Sequence, residues 1–511
     1  MANLLERASV VLTATAYNNG EALCIKPDDG SGDFQFSRNS AATRVNAQGL
    51  VENVQTISGN LLDYSTFTSP SASWSLVGGL WVFDDTANGY VVTPNLAVVV
   101  GDVFDVVVNV TIASGNANFR YTSGNGQTRL FDYTDFVDGV NEFQATVMGV
   151  DGILQRIFAP ASLTDNPFTL NSISIKKISQ DTNLPRINYE ASCGSWLFEP
   201  QSTNLCFNSN TFTALAGAVA TPNAAISPDG TLNATKVNFS TGLNDGIRLN
   251  IGGVSASAST EYTFSFYAKN FSGDGTFNLR IDTDTDTLVT TANYTATSEW
   301  VRYTHTFTTD AAASSFKTTS RFRNRTDNNE VLFFGIQLEE LTFATSYIPT
   351  SGSTVTRNQD LCTNGGSLAT INSTEGVLYT EIAALANDGT NRIISVSDGT
   401  TANRVSIVLG SATNQIRGQV ISSGTSFDFS TTSYNTLNNN KIAISYKLND
   451  FSMWINGTKV STDTSGNTPV GMNTISFNAG GAVLTFFGKT KCLAVWKEAL
   501  TDAELTALTT I

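Results

Sequence analysis

Residues 331–360 read VLFFGIQLEELTFATSYIPTSGSTVTRNQD, and this stretch decides the fold class. Its first part, Val331–Leu338, is an apolar run with the length of one buried strand. The run ends at Glu339 and Glu340, and the residues that follow are rich in Thr and Ser and have no helical period. Pro349 then favours an extended backbone at the residue before it. The stretch therefore predicts a buried β-strand with an extended, irregular exit.

Three segments of the chain resemble phrases that recur in bacteriophage virion proteins. The first is QLEELTFATSYIPTSGSTVTR at 337–357, the second is FQFSRNSAATRVNAQGLVENV at 34–54, and the third joins NLPRINYE at 183–190 to LFEPQSTNL at 197–205. The resemblance implies a head or tail fibre, a decoration protein or an adhesin on the virion surface, with other virion proteins as partners. It implies no particular function within that family.

The composition is typical of twisted antiparallel sheets joined by tight turns. The 511 residues are enough for about three domains. The chain is 41% hydrophobic but only 14% charged, and it contains 31 Phe and 40 Gly. Helical bundles need more Glu, Lys, Leu and Ala than this. We therefore predict an all-β, multi-domain protein with helix in fewer than about 10% of its residues.

The charge balance argues against polyanionic partners. The formal net charge is −15, and the sequence contains no run of Lys and Arg that would neutralise a row of phosphates. We therefore expect neither a nucleic-acid partner nor an anionic membrane surface. The longest apolar runs are too short to span a bilayer, and the first residues lack the pattern of a signal peptide. We expect a protein that is made in the host cytoplasm.

The cysteine pattern predicts free thiols and no metal site. Cys24, Cys193, Cys206, Cys362 and Cys492 are widely spaced, and no C-x-x-C pair occurs. Their odd number and spacing favour mostly buried thiols in a reducing compartment. We expect no cofactor.

Strand and turn signals divide the chain into five predicted parts. These are an N-terminal attachment or packing segment at 1–60, a first β-sandwich at 61–182, a connector at 183–204 that packs with 34–54, a second, carbohydrate-binding-like β-sandwich at 205–359, and a module at 360–511. Segments 34–54 and 183–207 lie close together in the family that they resemble. We therefore predict that they form one structural unit and that the first sandwich is inserted between them.

Local patterns support the two sandwiches. Phe104, Val106, Val108 and Val110 alternate with residues of the opposite face, as in a half-buried strand. The run YTFSFYAKN at 262–270 resembles a strand of carbohydrate-binding jelly rolls. The closing stretches NSISIKKI and FFGIQLEE are alike and predict a repeated, jelly-roll-like fold.

Residues 360–511 resemble a laminin-G or concanavalin-A-like lectin module. The segments that carry this resemblance are GVLYTEI at 376–382, KIAISYKL at 441–448 and SMWING at 452–457. The Asn-Gly pair that ends SMWING is a strong hairpin signal. Thr501 and Glu504 form a capping box and Leu500 can pack on Leu505, so a helix is predicted over 501–509.

No catalytic motif stands out. The single histidine, His305, excludes multi-histidine metal centres, and no G-x-S-x-G, Walker A or G-x-G-x-x-G motif occurs. Glu339 and Glu340 are adjacent, so in a strand they point to opposite faces and cannot flank one bond. We expect no enzyme activity, although a glycosidase, which needs only two carboxylates, stays open as an alternative.

Two further patterns are candidate binding sites. Asp282, Asp284 and Asp286 would share one face of a strand and could bind Ca²⁺, although the EF-hand glycine and distal Glu are absent and a solvated strand end is the alternative. The six tryptophans could stack on sugars, but tryptophans in sandwiches are mostly core residues. They are Trp74, Trp81, Trp196, Trp300, Trp454 and Trp496. We assign no ligand-binding residue from these patterns.

Taken together, the patterns favour a non-enzymatic structural protein of a phage particle that displays glycan-binding modules for host or mucosal attachment. We expect residues 360–511 to make the glycan contact. We also expect a homo-oligomer, most simply a trimer, because residues 1–60 lack a core of their own. The alternatives are a purely structural capsid or tail decoration without a ligand, and a tail enzyme that degrades polysaccharide.

Overall fold

The structure of the protein is a computed structural model. It describes residues 2–112, 115–161, 167–179, 182–215, 217–239, 246–285, 288–324 and 329–511. The chain forms two compact units, of which one is Gln55–Gln180 and the other combines Met1–Val54 with Asp181–Ile511. Residues 34–54 and 183–207 therefore lie in one unit, with the Gln55–Gln180 unit inserted between them.

The described residues of the Gln55–Gln180 unit form a sandwich of two antiparallel sheets. One sheet has the strand order Gly139–Thr146, Val103–Ile112, Phe168–Ser179, Leu80–Phe83 and Trp74–Val77, with Thr56–Ile57 also paired to Phe168–Ser179. The other has the order Gly89–Val98, Gly152–Ala159, Ala117–Thr122, Thr128–Phe136 and Met148–Gly149. Phe104, Val106 and Val108 point inward and pack in the same core as Phe119 and Tyr121, because side chains alternate between the faces of a strand.

The second sandwich belongs to the other unit. Its first sheet has the order Ala218–Ile226, Leu232–Phe239, Asn329–Glu339, Glu261–Ser272 and Val301–Thr308. Its second sheet has the order Gly246–Arg248, Arg321–Asn324, Thr276–Asp282 and Leu288–Thr295. Phe264, Phe266 and Phe333 are fully buried in the core between the sheets. The apolar run that opens residues 331–360 is thus a buried strand.

The two sandwiches share one topology. We count nine strands in the described residues of each, leaving aside the short strands Thr56–Ile57 and Met148–Gly149. Both sandwiches then have one sheet in the order seventh, fourth, ninth, second, first, and another in the order third, eighth, fifth, sixth. The stretches NSISIKKI and FFGIQLEE both lie at the ninth strand. The fold is therefore repeated along the chain.

The C-terminal module is a third sandwich. Its larger sheet has the order Ile187–Glu190, Cys193–Phe198, Gly488–Trp496, Glu375–Ala384, Asn440–Lys447, Asp450–Ile455 and Thr458–Asp463, with Val10–Thr13 also paired to Gly488–Trp496. The facing sheet has the order Thr425–Thr431, Ile416–Ser422, Asn403–Leu409, Arg392–Ser397 and Thr474–Ser476.

Three strands of the larger sheet lie outside the predicted module 360–511. Val10–Thr13 and Cys193–Phe198 pair directly with Gly488–Trp496, and Ile187–Glu190 pairs with Cys193–Phe198. The predicted module, which begins at residue 360, leaves these strands out, because nothing in the sequence of a short strand identifies a pairing partner so distant in the chain. The N-terminal segment, expected to pack on another module or on a neighbouring subunit, supplies a strand to a module of its own chain.

The remaining elements are short. A four-stranded sheet comprises Tyr17–Asn18, Glu21–Ala22, Phe34–Ser37 and Leu361–Thr363. Two strand pairs join Ser202–Asn204 to Val355–Arg357 and Thr43–Val45 to Val51–Asn53. The helical segments described are Ala2–Arg7, Asp502–Thr509 and the 3₁₀ turn Tyr64–Thr66. Within the described residues, no helix has the length and apolar character needed to cross a membrane.

The all-β, multi-domain fold class predicted from the sequence is confirmed. In the part of the chain that the structure describes, strands account for 54% of the residues and helix for 3%. The helix Asp502–Thr509 begins at the capping box, where the Thr501 side chain accepts from the Glu504 backbone N–H and the Glu504 side chain accepts from the Thr501 backbone N–H. Leu500 and Leu505 lie in one buried cluster, as expected for the staple.

Candidate functional site

Residues from 34–54, 183–205 and 331–360 meet in one cluster of buried charges. Arg38 comes from 34–54, Arg186 and Glu199 come from the paired third segment, and Arg357 and Asp360 come from 331–360. Each of these side chains is at most 4% exposed. Arg186 Nη1 lies 2.5 Å from Glu199 Oε2, Arg186 Nη2 binds Asp360, and Arg38 Nη1 donates to Asp360 Oδ1 over 3.1 Å. We call these five residues the buried ion cluster.

Backbone and hydroxyl groups complete the buried ion cluster. Glu199 accepts from the backbone N–H and the hydroxyl of Ser346, both at 2.7 Å, and Asp360 accepts from the backbone N–H of Glu199 at 2.8 Å. Burial opposes ionisation of Glu199, but the charges of Arg186 and Arg357 outweigh it and lower the pKa of Glu199 to about 2. Both carboxylates are buried and paired with arginines from other segments, so the cluster joins chain segments.

Glu339 and Glu340 also make structural contacts. Glu339 is fully buried and accepts from the Ser202 hydroxyl at 2.6 Å and from the Thr345 backbone N–H at 3.0 Å. Glu340 accepts from the Tyr262 hydroxyl at 3.0 Å. The adjacent carboxylates therefore serve different parts of the sandwich, as their opposite directions on a strand predict.

A cleft of about 410 Å³ opens beside the buried ion cluster. Its lining includes Tyr189, Tyr267, Arg302, Phe343 and Lys489. Lys489 pairs with Glu190, and Arg302 donates to the Ser265 hydroxyl at 2.9 Å with its guanidinium 5.6 Å from the Tyr267 ring. The charges of this cleft are thus already engaged with their neighbours.

The two calcium candidates that the structure describes, Asp282 and Asp284, are hydrogen-bonded to neighbouring residues. Asp282 is 3% exposed, and both its carboxylate oxygens accept from Arg280 Nε, at 2.9 and 2.8 Å. Asp284 accepts from the Ser314 backbone N–H at 3.0 Å and from that residue's hydroxyl. Asp286 lies outside the described residues. No group of three or more His, Cys, Asp or Glu side chains suited to a metal occurs in the described part of the chain.

Most tryptophans are core residues, and His305 lies on a strand. Trp74, Trp81, Trp196, Trp454 and Trp496 are buried, whereas Trp300 is partly exposed and donates to a backbone carbonyl. His305 Nε2 lies 2.8 Å from the Thr290 hydroxyl, and burial lowers its pKa. Neither the tryptophans nor His305 therefore indicate a binding site.

The cysteines described by the structure are all free. Cys206 and Cys362 are buried, Cys24 and Cys492 are partly buried, and Cys193 is exposed. Burial raises the pKa of Cys206 and that of Cys362, so both thiols are held protonated.

Exposed aromatic rings and arginines share one outward sheet face of the Gln55–Gln180 unit. The Arg120 guanidinium lies 4.6 Å from the Tyr133 ring centre and 5.0 Å from that of Phe158, and the Arg156 guanidinium lies 4.3 Å from that of Tyr90. Tyr133 is 44% exposed, and Tyr90 and Phe158 are partly exposed. We call Tyr90, Arg120, Tyr133, Arg156 and Phe158 the aromatic platform.

A β-bulge shapes the aromatic platform. On the strand Thr128–Phe136, Phe131 pairs with Tyr121 and Thr134 pairs with Phe119, so both Asp132 and Tyr133 face Arg120. Bulges re-aim side chains in this way, and they are frequent beside functional sites. Asp132 lies 3.8 Å from Arg120 and 2.8 Å from Arg129, which places a carboxylate beside the exposed Tyr133 ring.

The chemistry of the aromatic platform suits a saccharide. A partly exposed ring can cover the apolar face of a pyranose, and neighbouring guanidinium and carboxylate groups can hydrogen-bond its hydroxyls. The sequence contains three arginines between residues 55 and 180, namely Arg120, Arg129 and Arg156, and all three lie on this sheet face. This face is therefore the candidate functional site.

A short repeat in the sequence could have pointed to this sheet face. Asn118–Phe119–Arg120 and Asn278–Leu279–Arg280 lie on the fifth strand of the first and second sandwich. Each asparagine donates to the side chain opposite it on the sixth strand, Asp135 at 2.6 Å in one sandwich and Asn293 at 2.8 Å in the other. Three residues are too few to be found as a repeat before the strands are aligned.

No protein-family model and no curated protein matches the chain. Among solved structures, it is similar to the CBM40 of the Ruminococcus gnavus IT-sialidase bound to α2,3 sialyllactose, with 15% identity, a TM-score of 0.25, and coverage of 29% of this chain and 91% of that chain. It is also similar to the CBM22 tandem of Paenibacillus barcinonensis Xyn10C, with 13% identity, a TM-score of 0.20, and coverage of 56% and 99%. A third similar structure is Trypanosoma rangeli sialidase with the inhibitor DANA, with 9% identity, a TM-score of 0.22, and coverage of 92% and 97%.

Proposed function

We propose that the protein is a non-enzymatic structural component of a bacteriophage particle, a fibre or a surface decoration, that displays saccharide-binding β-sandwiches. The observation that carries saccharide binding is the aromatic platform, where the partly exposed rings of Tyr133 and Phe158 flank Arg120 on an open sheet face. The particle location is supported by the resemblance of the three segments to virion proteins. Those segments supply four of the five residues of the buried ion cluster.

Binding at the aromatic platform would be weak for each copy of the chain. A single open face buries little of a saccharide, and millimolar affinity corresponds to about −4 kcal/mol. Many copies on one particle would raise the effective affinity for a host or mucosal surface without any new contact. The role therefore requires rigid modules and many copies, and it requires no cofactor and no catalytic group.

We propose that the chain acts as a homo-oligomer on the virion surface, with a trimer as the simplest form. Closed cyclic assemblies are common among proteins that form oligomers. Burial of the N-terminal segment no longer argues for an oligomer, because Val10–Thr13 pairs with Gly488–Trp496 of the same chain. Sedimentation of the full chain measures its oligomeric state, and a stable monomer would contradict the proposal.

The saccharide proposal is tested with the full chain on a glycan array. Tyr133→Ala removes the exposed ring and should abolish binding to at least one set of glycans on the array, while leaving the unfolding transition in place. Phe271→Ala is the matched control, since Phe271 is 52% exposed but belongs to the second sandwich and not to the aromatic platform. A blank array for the unmodified chain would favour the structural decoration without a ligand. Release of new reducing ends from polysaccharide would instead favour the enzyme.

The C-terminal module keeps its predicted part in glycan attachment as a separate proposal. It cannot be tested with a 360–511 fragment, because that fragment lacks three strands of its larger sheet. Competition for adsorption should therefore use the full chain, presented multivalently, against virions and host cells. Adsorption that is undiminished by excess chain would contradict a role in attachment.

A further inference from the structure

The cleft of about 410 Å³ beside the buried ion cluster lies where the second sandwich meets the C-terminal module, and we call it the junction cleft. Tyr267 and Arg302 belong to the first sheet of the second sandwich, whereas Tyr189 and Lys489 belong to the larger sheet of the C-terminal module. Both modules are parts of one compact unit. Pockets for small ligands often form between modules and measure roughly 300–1,000 Å³. The junction cleft has the position and the size of such a pocket.

One part of the wall of the junction cleft is aromatic and apolar. Val51, Tyr267 and Tyr347 line it and pack in one buried cluster. Tyr189 and Phe343 line it as well and are half-buried, so each residue keeps part of its surface open. Aromatic rings with open surface can cover the apolar face of a ligand ring.

Hydrogen bonds hold the junction cleft in shape. The Val45 backbone N–H donates to Asn188 Oδ1 at 2.8 Å, and the Thr43 hydroxyl donates to the Tyr347 carbonyl. All four residues line the cleft. The strand Thr43–Val45 is therefore tied to the C-terminal module on one side and to the exit of the second sandwich on the other. A wall that is fixed before binding loses less conformational entropy when a ligand binds.

Charged residues at the junction cleft are paired with charges of the chain itself. Lys489 pairs with Glu190, and Arg44 Nε lies 2.9 Å from Glu52 Oε1. Glu199, which also lines the cleft, is held in the buried ion cluster. An ionic ligand would compete with these pairs, whereas a neutral ligand leaves them in place.

Three side chains of the junction cleft keep hydrogen-bonding capacity. Asn188 uses Oδ1 for Val45, while its Nδ2 makes no hydrogen bond to the residues that the structure describes. The Tyr189 hydroxyl also makes none within the described part of the chain. Arg302 engages one of its five N–H donors, with the Ser265 hydroxyl at 2.9 Å. Amide and guanidinium donors together with a hydroxyl suit the hydroxyl and ring oxygens of a sugar.

We propose that the junction cleft binds a neutral saccharide. The apolar face of a sugar ring lies against Tyr189 and Phe343, and its oxygens accept hydrogen bonds from Asn188 and Arg302. The choice of a saccharide rests on the proposed function, and the proposal adds a second site and the absence of charge on its ligand. The aromatic platform belongs to the Gln55–Gln180 unit, so the chain carries one saccharide site in each compact unit.

Binding at the junction cleft should stabilise the unit that contains it. The walls come from two modules, so the cleft exists only when both are folded and packed together. A ligand that binds the folded state alone raises the unfolding midpoint as its concentration increases. Binding and thermal unfolding therefore give two independent readouts.

The test measures binding of neutral and charged probes to the full chain by calorimetry. The neutral probes are cellohexaose, maltohexaose, xylohexaose and chitotetraose, and the charged probe is oligogalacturonate. The chain carries Tyr133→Ala, so that the aromatic platform does not contribute. We expect at least one neutral probe to bind and to raise the unfolding midpoint. Absence of binding by every neutral probe, or tighter binding of oligogalacturonate, would overturn the proposal.

A conservative variant locates the site. Tyr189→Phe keeps the ring and removes the hydroxyl, and it should weaken binding of the neutral probe about fivefold because one hydrogen bond is lost. Tyr434→Phe is the matched control, since Tyr434 is half-buried on the C-terminal module but lies outside the junction cleft. Equal affinity of these two variants would place the saccharide elsewhere and overturn the proposal.

A second variant tests the stacking surface. Phe343→Ala removes a ring from the wall and should weaken binding at least tenfold, whereas Phe271→Ala on the second sandwich should bind as the unmodified chain does. Thermal unfolding without a probe checks that both variants are folded. Full affinity of Phe343→Ala would contradict the proposal. The glycan-array result for Tyr133→Ala is independent of these measurements, so the aromatic platform and the junction cleft can fail separately.

Discussion

Arg186 has no exposed side-chain surface and binds carboxylates from two different segments, Glu199 and Asp360. Two carboxylates this deeply buried are tolerated only while cations and hydrogen bonds neutralise them. The contact between residues 186 and 360 exists only after distant parts of the chain have folded together. Arg186 can therefore form both ion pairs only once these segments have packed together.

Replacing Arg186 should be far more damaging than replacing a surface arginine. Arg186→Met removes the closest cationic partner of both Glu199 and Asp360 and leaves only the longer ion pairs of Arg357 and Arg38, so we expect a loss of about 3–5 kcal/mol in the free energy of unfolding. Urea unfolding measures the difference. The control is Arg417→Met, whose pair with Asp428 is 40% and 32% exposed and should be worth about 0–1 kcal/mol. Equal losses for the two variants would contradict the structural role of the buried ion cluster.

Glu199 should make the free energy of unfolding depend on pH in the acidic range. Its ordinary pKa of 4.5 is lowered to about 2 in the folded chain, so the folded state binds the proton less readily than the unfolded state. Its contribution is therefore fully present above pH 4.5 and is lost as the pH falls toward 2. Glu199→Gln lacks this titration. In urea unfolding from pH 7 to pH 2, the stability difference between the two chains should shrink with falling pH, and a constant difference would contradict the assignment.

At the scale of elements, the strand Val10–Thr13 completes a sheet that the sequence assigns to the other end of the chain. Val10 and Leu12 are fully buried and face Val495 and Leu493 across the pair. The short helix Ala2–Arg7 before the strand contributes as well, because Trp496 Nε1 donates to the Leu4 carbonyl at 2.9 Å. The N-terminal residues are thus part of the core of the C-terminal module.

A core substitution in this strand should destabilise the C-terminal module. Leu12→Ala leaves a cavity in a fully buried site, and we expect a loss of about 2–5 kcal/mol in unfolding free energy. Leu5→Ala is the control, since Leu5 is 41% exposed and its truncation should change stability by less than about 0.5 kcal/mol. Urea unfolding followed by tryptophan fluorescence reports on Trp196 and Trp496 in the affected region. A loss no larger than that of the control would show that the strand is dispensable.

Elements with a strong local signal could be predicted from the sequence. The alternation of Phe104, Val106 and Val108 gave the inward face of a strand, and Thr501 with Glu504 gave the start of a helix. In both cases the pattern that identifies the element lies in residues that are close in sequence. An alternating pattern or a capping pattern is therefore enough to predict a single strand or helix.

The candidate sites could not be predicted, because they are assembled across strands. Arg120, Tyr133 and Phe158 lie on three different strands, and in the sequence each looks like an ordinary solvent-facing strand residue. The six tryptophans were candidate sugar platforms that we expected to lie mostly in the core, and five of them are buried, whereas the rings of the aromatic platform belong to Tyr133, Phe158 and Tyr90. Which outward residues become neighbours depends on strand order, and strand order is not a local property.

At the scale of the whole molecule, the Gln55–Gln180 unit is inserted into a loop of the other unit. Its ends meet, since Thr56 pairs with Ser179 and Ile57 pairs with Ile178. The unit also has a core of its own. These are the conditions under which an inserted domain folds independently.

The insertion should be removable. Replacing residues 55–180 with a short Gly/Ser linker should leave the rest of the chain folded, with one cooperative transition in urea, because the two cut ends are held close together. The excised 55–180 unit should fold alone and keep the glycan-array pattern that depends on Tyr133. Aggregation of the deleted chain, with loss of its β-type circular dichroism, would show that the two units need each other.

The pairing of Val10 with Val495 also governs when the protein can fold. A ribosome adds roughly 5–20 residues per second, so the first strand waits roughly half a minute to a minute and a half for its neighbour to be synthesised. During that time Val10 and Leu12 are exposed, while the Gln55–Gln180 unit, complete far earlier, can already be folded. A translation product cut short before residue 488 never acquires the strand that Val10–Thr13 needs. Such a product keeps an unpaired apolar strand, so we expect it to be more susceptible to proteolysis and aggregation than the full chain.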